Sequence, residues 1–101
     1  MPFGVWRLVL LIMRAYRIRV TGDVQGVFYR YNAKIAAKKF KVTGWIKNKQ
    51  DGSVESFIQG SEEGTKGFIN WANEGSPMST VEKVEITAVE TDIDLVDFKI
   101  I

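Results

Sequence analysis

A chain of 101 residues, 46% hydrophobic and 26% charged, has the size and composition of one globular domain. It contains neither cysteine nor histidine, which excludes Cys–His and Ser–His–Asp catalysis, thiolate or imidazole metal centres, and disulfide scaffolds. A net charge of +2 suits a small anionic substrate and is too slight to indicate nucleic acid.

Residues 1–12 read as an apolar extension, with Met13 an alternative start and the domain proper spanning 13–101. The run from Leu8 to Met13 is six residues, shorter than a secretory core and far too short to span a bilayer. No membrane association is expected, and the absence of cysteine fits a cytoplasmic location. The extension is expected to dock, either lengthening the first strand or meeting a neighbouring chain. The expected state is a monomer, and the extension is the segment that could join two copies. Its deletion is expected to leave activity intact.

Arg14 to Thr21 alternates, with Tyr16, Ile18 and Val20 on one side and Arg17, Arg19 and Thr21 on the other. That spacing predicts a strand with one buried face. Gly22 to Gly26 reads as a loop. Tyr29, Ala33, Ala36 and Phe40 then form one apolar stripe at helical spacing, with Lys34, Lys38 and Lys41 away from it as a solvated face. Val42 to Asn48 is the second strand. Asp51-Gly52 marks a tight turn, and Ser53 to Gln59 returns as the third strand. Ser61 is placed to cap a second helix, with Glu62 and Glu63 in its first turn. Gly64 and Gly67 weaken that helix by about 1 kcal/mol each relative to alanine. Gly75-Ser76-Pro77 ends it. A fourth strand is centred on Val84, Ile86 and Ala88, and a short terminal strand covers Asp97 to Ile101. Trp6, Trp45 and Trp71 are read as core or edge packing.

The order is β-α-β-β-α-β with an added C-terminal strand. It predicts the α+β, ferredoxin-like split β-α-β arrangement: an antiparallel sheet with both helices on one face. Many unrelated functions use this architecture, so the function must be read from the site.

Two segments carry chemistry. The first, Gly22 to Arg30, joins a strand to a helix. Glycines at 22 and 26 let the backbone turn and present consecutive N–H groups, and the helix start adds unpaired donors and partial positive charge. Such a loop can hold an anion without metal, and Arg30 in the first helical turn can bind two phosphate oxygens. Glycine-rich connections and helix-start arginines also occur without any ligand, so the loop alone leaves both readings open. The second segment is Gly44 to Val54. Asn48 ends its strand where a carboxamide can accept from a water and donate to a phosphate. An asparagine there can equally just begin a turn.

Together these segments resemble the acylphosphatase family. Val20 to Arg30 follows its pattern apolar-x-Gly-x-Val-Gln-Gly-Val-x-aromatic-Arg, and Gly44 to Gly60 follows Gly-aromatic-apolar-basic-Asn, then Gly-x-Val, then a later glycine. Gly75-Ser76-Pro77 and the Phe-x-Ile ending are also similar, and the likeness covers about residues 13–101. It implies a metal-free, cofactor-free hydrolase that splits the carboxyl–phosphate bond of acyl phosphates and releases inorganic phosphate. It implies that Arg30 binds the phosphate and that Asn48 orients the attacking water. Backbone amides from Gln25 through Gly26, Val27, Phe28 and Tyr29 to Arg30 would cradle the phosphoryl group. Departures are mild: Tyr29 and Ile46 stand where other apolar residues are usual. Asp23 occupies an often basic position and is expected to point outward.

Two rival readings share the element order. An RNA-recognition motif would carry exposed aromatics on its third strand, where Phe57 is the single candidate. A regulatory or accessory domain of the same family, of the kind found inside larger maturation enzymes, would have low intrinsic activity.

Overall fold

Five strands form one sheet in the order β4-β1-β3-β2-β5. The computed structural model describes residues 12–101, so the expected docking of the N-terminal extension lies outside the described residues. The elements are β1 (Arg14–Asp23), α1 (Tyr29–Phe40), β2 (Thr43–Asn48), β3 (Val54–Gly60), α2 (Glu62–Glu74), β4 (Thr80–Val89) and β5 (Phe98–Ile100). The four longer strands are antiparallel to their neighbours, as the ferredoxin-like order requires, and β5 adds in parallel beside β2.

The helices pack on each other and on one face of the sheet. Ile18, Val20, Ile46, Val54 and Ile58 meet Ala33, Ala37 and Phe68 there in one buried cluster. Alanines on α1 keep that face flat, so the helix lies close to the sheet. Gly64 and Gly67 have a positive use that outweighs their poor helix propensity. A β-carbon at 64 would lie 2.4 Å from the Phe40 carbonyl oxygen, and one at 67 would lie 2.4 Å from the Phe40 ring. The missing side chains let the two helices approach. Ser61 caps α2 as expected, accepting from the Gly64 N–H at 2.9 Å.

Two local expectations change. Gly22 and Asp23 do not open the loop; they continue β1 past a bulge, pairing with Val81 and Thr80. A β-carbon at Gly22 would lie 2.1 Å from the Thr80 carbonyl oxygen, so the two backbones meet closely there because residue 22 is glycine. A strand with one buried face would expose Phe57 and Gln59 opposite Ser56 and Ile58, yet all four are buried. The cause is topological. β4 and β5 lie at opposite edges, so the chain between them crosses the helix-free face. Gln59 clamps that crossing, donating from Nε2 to the Asp92 carbonyl and accepting at Oε1 from the Asp92 N–H, both at 2.7 Å.

β1 and β2 both run antiparallel to β3, so they finish at the same end of the sheet. Val20 on β1 and Asn48 on β2 pair with the same residue, Val54. Two interstrand spacings put them about 10 Å apart. The β1–α1 loop and the β2–β3 hairpin therefore emerge side by side.

Candidate active site

The loop between β1 and α1 is built from its backbone. Gly26 has φ 74° and Phe28 has φ 61°, while Val27 between them and Tyr29 after them lie outside the positive-φ region. Alternation of left- and right-handed residues turns successive N–H groups toward one side and makes an anion-binding concavity. The start of α1 adds its own unpaired donors. Phe28 stands at the N-cap and offers no side-chain acceptor to those donors. Glycine suits position 26, where an added β-carbon would meet nothing and only the left-handed torsion matters. At Phe28 the same torsion is a departure for a bulky residue, and it is held from outside the loop.

Three side chains hold it. Asn32 donates to the Phe28 carbonyl from its backbone N at 3.0 Å and from Nδ2 at 2.9 Å. Ser76, buried just after α2, donates from Oγ to the Val27 carbonyl at 2.8 Å. Gln25 reaches across to the hairpin, where its Nε2 donates to the carbonyls of Lys49 and Ser53, both at 2.8 Å. Val24 anchors the start of the loop in the core, and Tyr29 anchors its end. The Tyr29 ring packs 4.9 Å from Trp71, and its hydroxyl donates to the Ala72 carbonyl at 2.9 Å. Burial raises its phenol well above the ordinary value, so it stays a neutral donor.

Gly26, Phe28, Tyr29 and Arg30 line a pocket of about 290 Å³ with Val24, Tyr31 and Ile100. Arg30 is half-buried, and among the described residues its guanidinium forms no ion pair and no side-chain hydrogen bond. It is a cation beside a set of backbone donors. Asp23, exposed at the end of β1, does not line this pocket.

Of the residues singled out in the sequence, Gln25 and Val27 do not line the pocket either. The side chain of Gln25 and the carbonyl of Val27 are instead the points at which the loop is tied down. Asn48 lies in a neighbouring hollow with Lys47, Lys49, Gln50 and Asp51, its backbone paired to Val54 and its side chain exposed. The structure thus brings Arg30 together with the loop, and Asn48 together with the hairpin. Gln25 is the bridge between them.

The hairpin has a lock of its own. The N–H and hydroxyl of Ser53 both donate to Asp51 Oδ1, the N–H at 2.9 Å. Arg19 donates from Nη2 to Asp51 Oδ2 at 2.9 Å and from Nη1 to Glu85 at 2.9 Å. The Ser53 hydroxyl first, and Arg19 after it, hold the Asp51 carboxyl well below the usual carboxylate range. Neither Asp51 nor Ser76 stood out in the sequence as a site residue. For Ser76 the signal present was its place in Gly-Ser-Pro after the second helix.

Among the described residues no three acidic side chains gather into a metal-binding group, and no helix is long and apolar enough to cross a membrane. The family model named acylphosphatase matches residues 16–100. An acylphosphatase of Bacillus licheniformis is 46% identical over 74 residues, 73% of this chain and 82% of that protein. The crystal structure of acylphosphatase from Bacillus subtilis superposes with a TM-score of 0.83 at 38% identity, covering 87% of this chain and 98% of that one. An acylphosphatase structure from Coxiella burnetii gives 0.81 at 31% identity, covering 89% and 94%.

Proposed function

The chain belongs to the acylphosphatase family, and on that footing we propose that Arg30 and the main-chain donors of residues 25–30 hold the phosphoryl group of an acyl phosphate while Asn48 orients the water that attacks it. The observation that carries this reading is the pocket itself. Residues 26 and 28, both with left-handed backbones, line a hollow, and an arginine without an ionic partner among the described residues lines the same hollow.

The chemistry fits so few groups. Water oxygen bonds to phosphorus, and the bond from phosphorus to the acyl oxygen breaks. The electron pair departs with a carboxylate, whose conjugate acid has a pKa of roughly 4 to 5. Such a group leaves without a proton, so no general acid is required of a chain that has no histidine. The proton of the attacking water passes to a phosphate oxygen. Phosphoryl transfer goes through a loose transition state, so catalysis rests on position and on charge stabilisation. Arg30 and the amides supply the charge, and Asn48 supplies the line of attack. Gln25 keeps the two halves in register through the carbonyls that flank the hairpin turn.

The RNA-binding alternative loses its aromatic candidate, because Phe57 is only 8% exposed and cannot act as a stacking platform. The deciding experiment is hydrolysis of benzoyl phosphate beside p-nitrophenyl phosphate, with and without a chelator. Rapid release of benzoate, slow hydrolysis of the monoester and indifference to the chelator are expected. A requirement for added Mg²⁺, or equal rates on both compounds, would overturn the mechanism.

A further inference from the structure

One wall of the pocket is cationic and the other is apolar. Phe28 is 68% exposed, Tyr31 61% and Ile100 39%, and all three line the hollow that holds Arg30 and Gly26. They come from two elements. Phe28 and Tyr31 stand at the start of α1. Ile100 is brought there by β5, which pairs with β2 so that Ile100 lies opposite the buried Ile46.

The backbone does not explain the ring at position 28. An amide presented from a left-handed residue is provided with less strain by glycine or asparagine. Most of the Phe28 ring meets solvent, so the core does not explain it either. Tyr31 makes no side-chain hydrogen bond among the described residues and is not part of the buried cluster. Among the described residues Arg30 is the only charged one in the lining, and its proposed role is to hold the phosphate. Whatever is covalently attached to the phosphoryl group therefore leaves it against two aromatic rings and an isoleucine.

We propose that Phe28, Tyr31 and Ile100 form the acyl subsite, and that it selects acyl phosphates with an aromatic or bulky apolar acyl group over those whose acyl group is small or carries a second negative charge. This rests on the phosphate-holding role given to Arg30 and the loop. Rings in such a subsite remove apolar acyl surface from water, whereas a distal carboxylate would lose hydration there with no cation to replace it. A volume of about 290 Å³ is at the lower end for ligand pockets and suits a phosphoryl group with a single ring rather than an extended chain.

The test measures kcat/KM for benzoyl, acetyl and succinyl phosphate in the wild type, Phe28→Gly and Tyr31→Ala. Glycine at 28 keeps the left-handed backbone while removing the ring, and alanine at 31 suits an exposed helix position. Taking each substrate's variant-to-wild-type ratio cancels its intrinsic reactivity. In each variant benzoyl phosphate is expected to lose about tenfold more than acetyl or succinyl phosphate, chiefly through KM. Inhibition by inorganic phosphate, which reaches only the cradle, reports separately on whether the cradle survives. Equal proportional losses on all three substrates, or no change on any, in both variants would overturn the acyl subsite and leave phosphate hydrolysis standing. Failure of the wild type to hydrolyse any of the three would overturn the functional reading and this inference with it.

Discussion

The β1–α1 loop and the β2–β3 hairpin leave the same end of the sheet and solve the same problem by different means. The loop is held by neutral groups: Asn32 and Ser76 on its carbonyls, and its own Gln25 reaching out to the hairpin. The hairpin is held by a carboxylate of its own, Asp51, between Ser53 and Arg19. A segment that must present bare N–H groups to an anion cannot carry an acceptor of its own there, because the acceptor would compete for the donors and repel the ligand. A segment that must only hold one carboxamide in place can be pinned by a local charge.

That contrast can be broken most forcefully at the ends of the two segments. Arg30→Ala should lower kcat/KM by about 10³-fold and abolish inhibition by inorganic phosphate, since one preorganised donor is worth about 10²–10³ and here a full charge is lost as well. Arg30→Lys should recover little, because an ammonium lacks the planar fork. Asn48→Ala should lower kcat by about 10²-fold while the inhibition constant for phosphate stays within about threefold, the pattern of lost positioning without lost binding. If both variants lost phosphate affinity alike, the division of labour between loop and hairpin would fail.

Much of this was legible from spacing and very little from single residues. The alternation of Tyr16, Ile18 and Val20, the stripe of Tyr29, Ala33 and Ala36, and the cap at Ser61 are local patterns, and the elements stand where those patterns place them. The family pattern led to the pocket that Arg30 lines. What stayed hidden depends on partners far along the chain. Gln25 reads as one more polar loop residue until Lys49 and Ser53 are folded beside it. Ser76 reads as a helix stop until Val27 lies under it. The burial of Phe57 and Gln59 follows from where β5 joins the sheet, which no alternation within β3 reports. Residue 22 reads as a loop glycine because only the approach of Thr80 reveals the bulge.

The bridge between the segments offers a smaller and sharper test. Gln25→Ala removes two hydrogen bonds, but the Ser53 carbonyl keeps the Lys49 N–H and the Lys49 carbonyl keeps the Gly52 N–H. The stability cost should therefore be about 1 kcal/mol, a fall of roughly 4–8 °C in Tm for a domain of this size. Turnover should fall by about tenfold as the carboxamide of Asn48 drifts relative to the loop. Combined with Asn48→Ala, the loss in kcat should be clearly less than the product of the two, because both act through one water. Full additivity would show that the tether stabilises the fold without positioning the site.

The smallest effect separates the two segments by pH. The folded-state pKa of Asp51 lies below its unfolded value of 3.8, so its contribution to stability is complete above that value and is lost as the pH falls toward the folded one. The group is exposed and solvent screens it, so the contribution is modest. Melting of the wild type and Asp51→Asn should differ by a constant amount from pH 7 to about pH 5 and converge progressively below about pH 4. Added salt should shrink the neutral-pH difference, since Arg19 and Asp51 form a surface pair. The loop's ties to Asn32, Ser76 and Gln25 contain no group that titrates in this range, so a tether variant such as Gln25→Ala should show no such convergence. A gap for Asp51→Asn that persists unchanged to pH 2.5 would mean that the carboxylate charge contributes nothing beyond its shape, and the hairpin would then be held as the loop is.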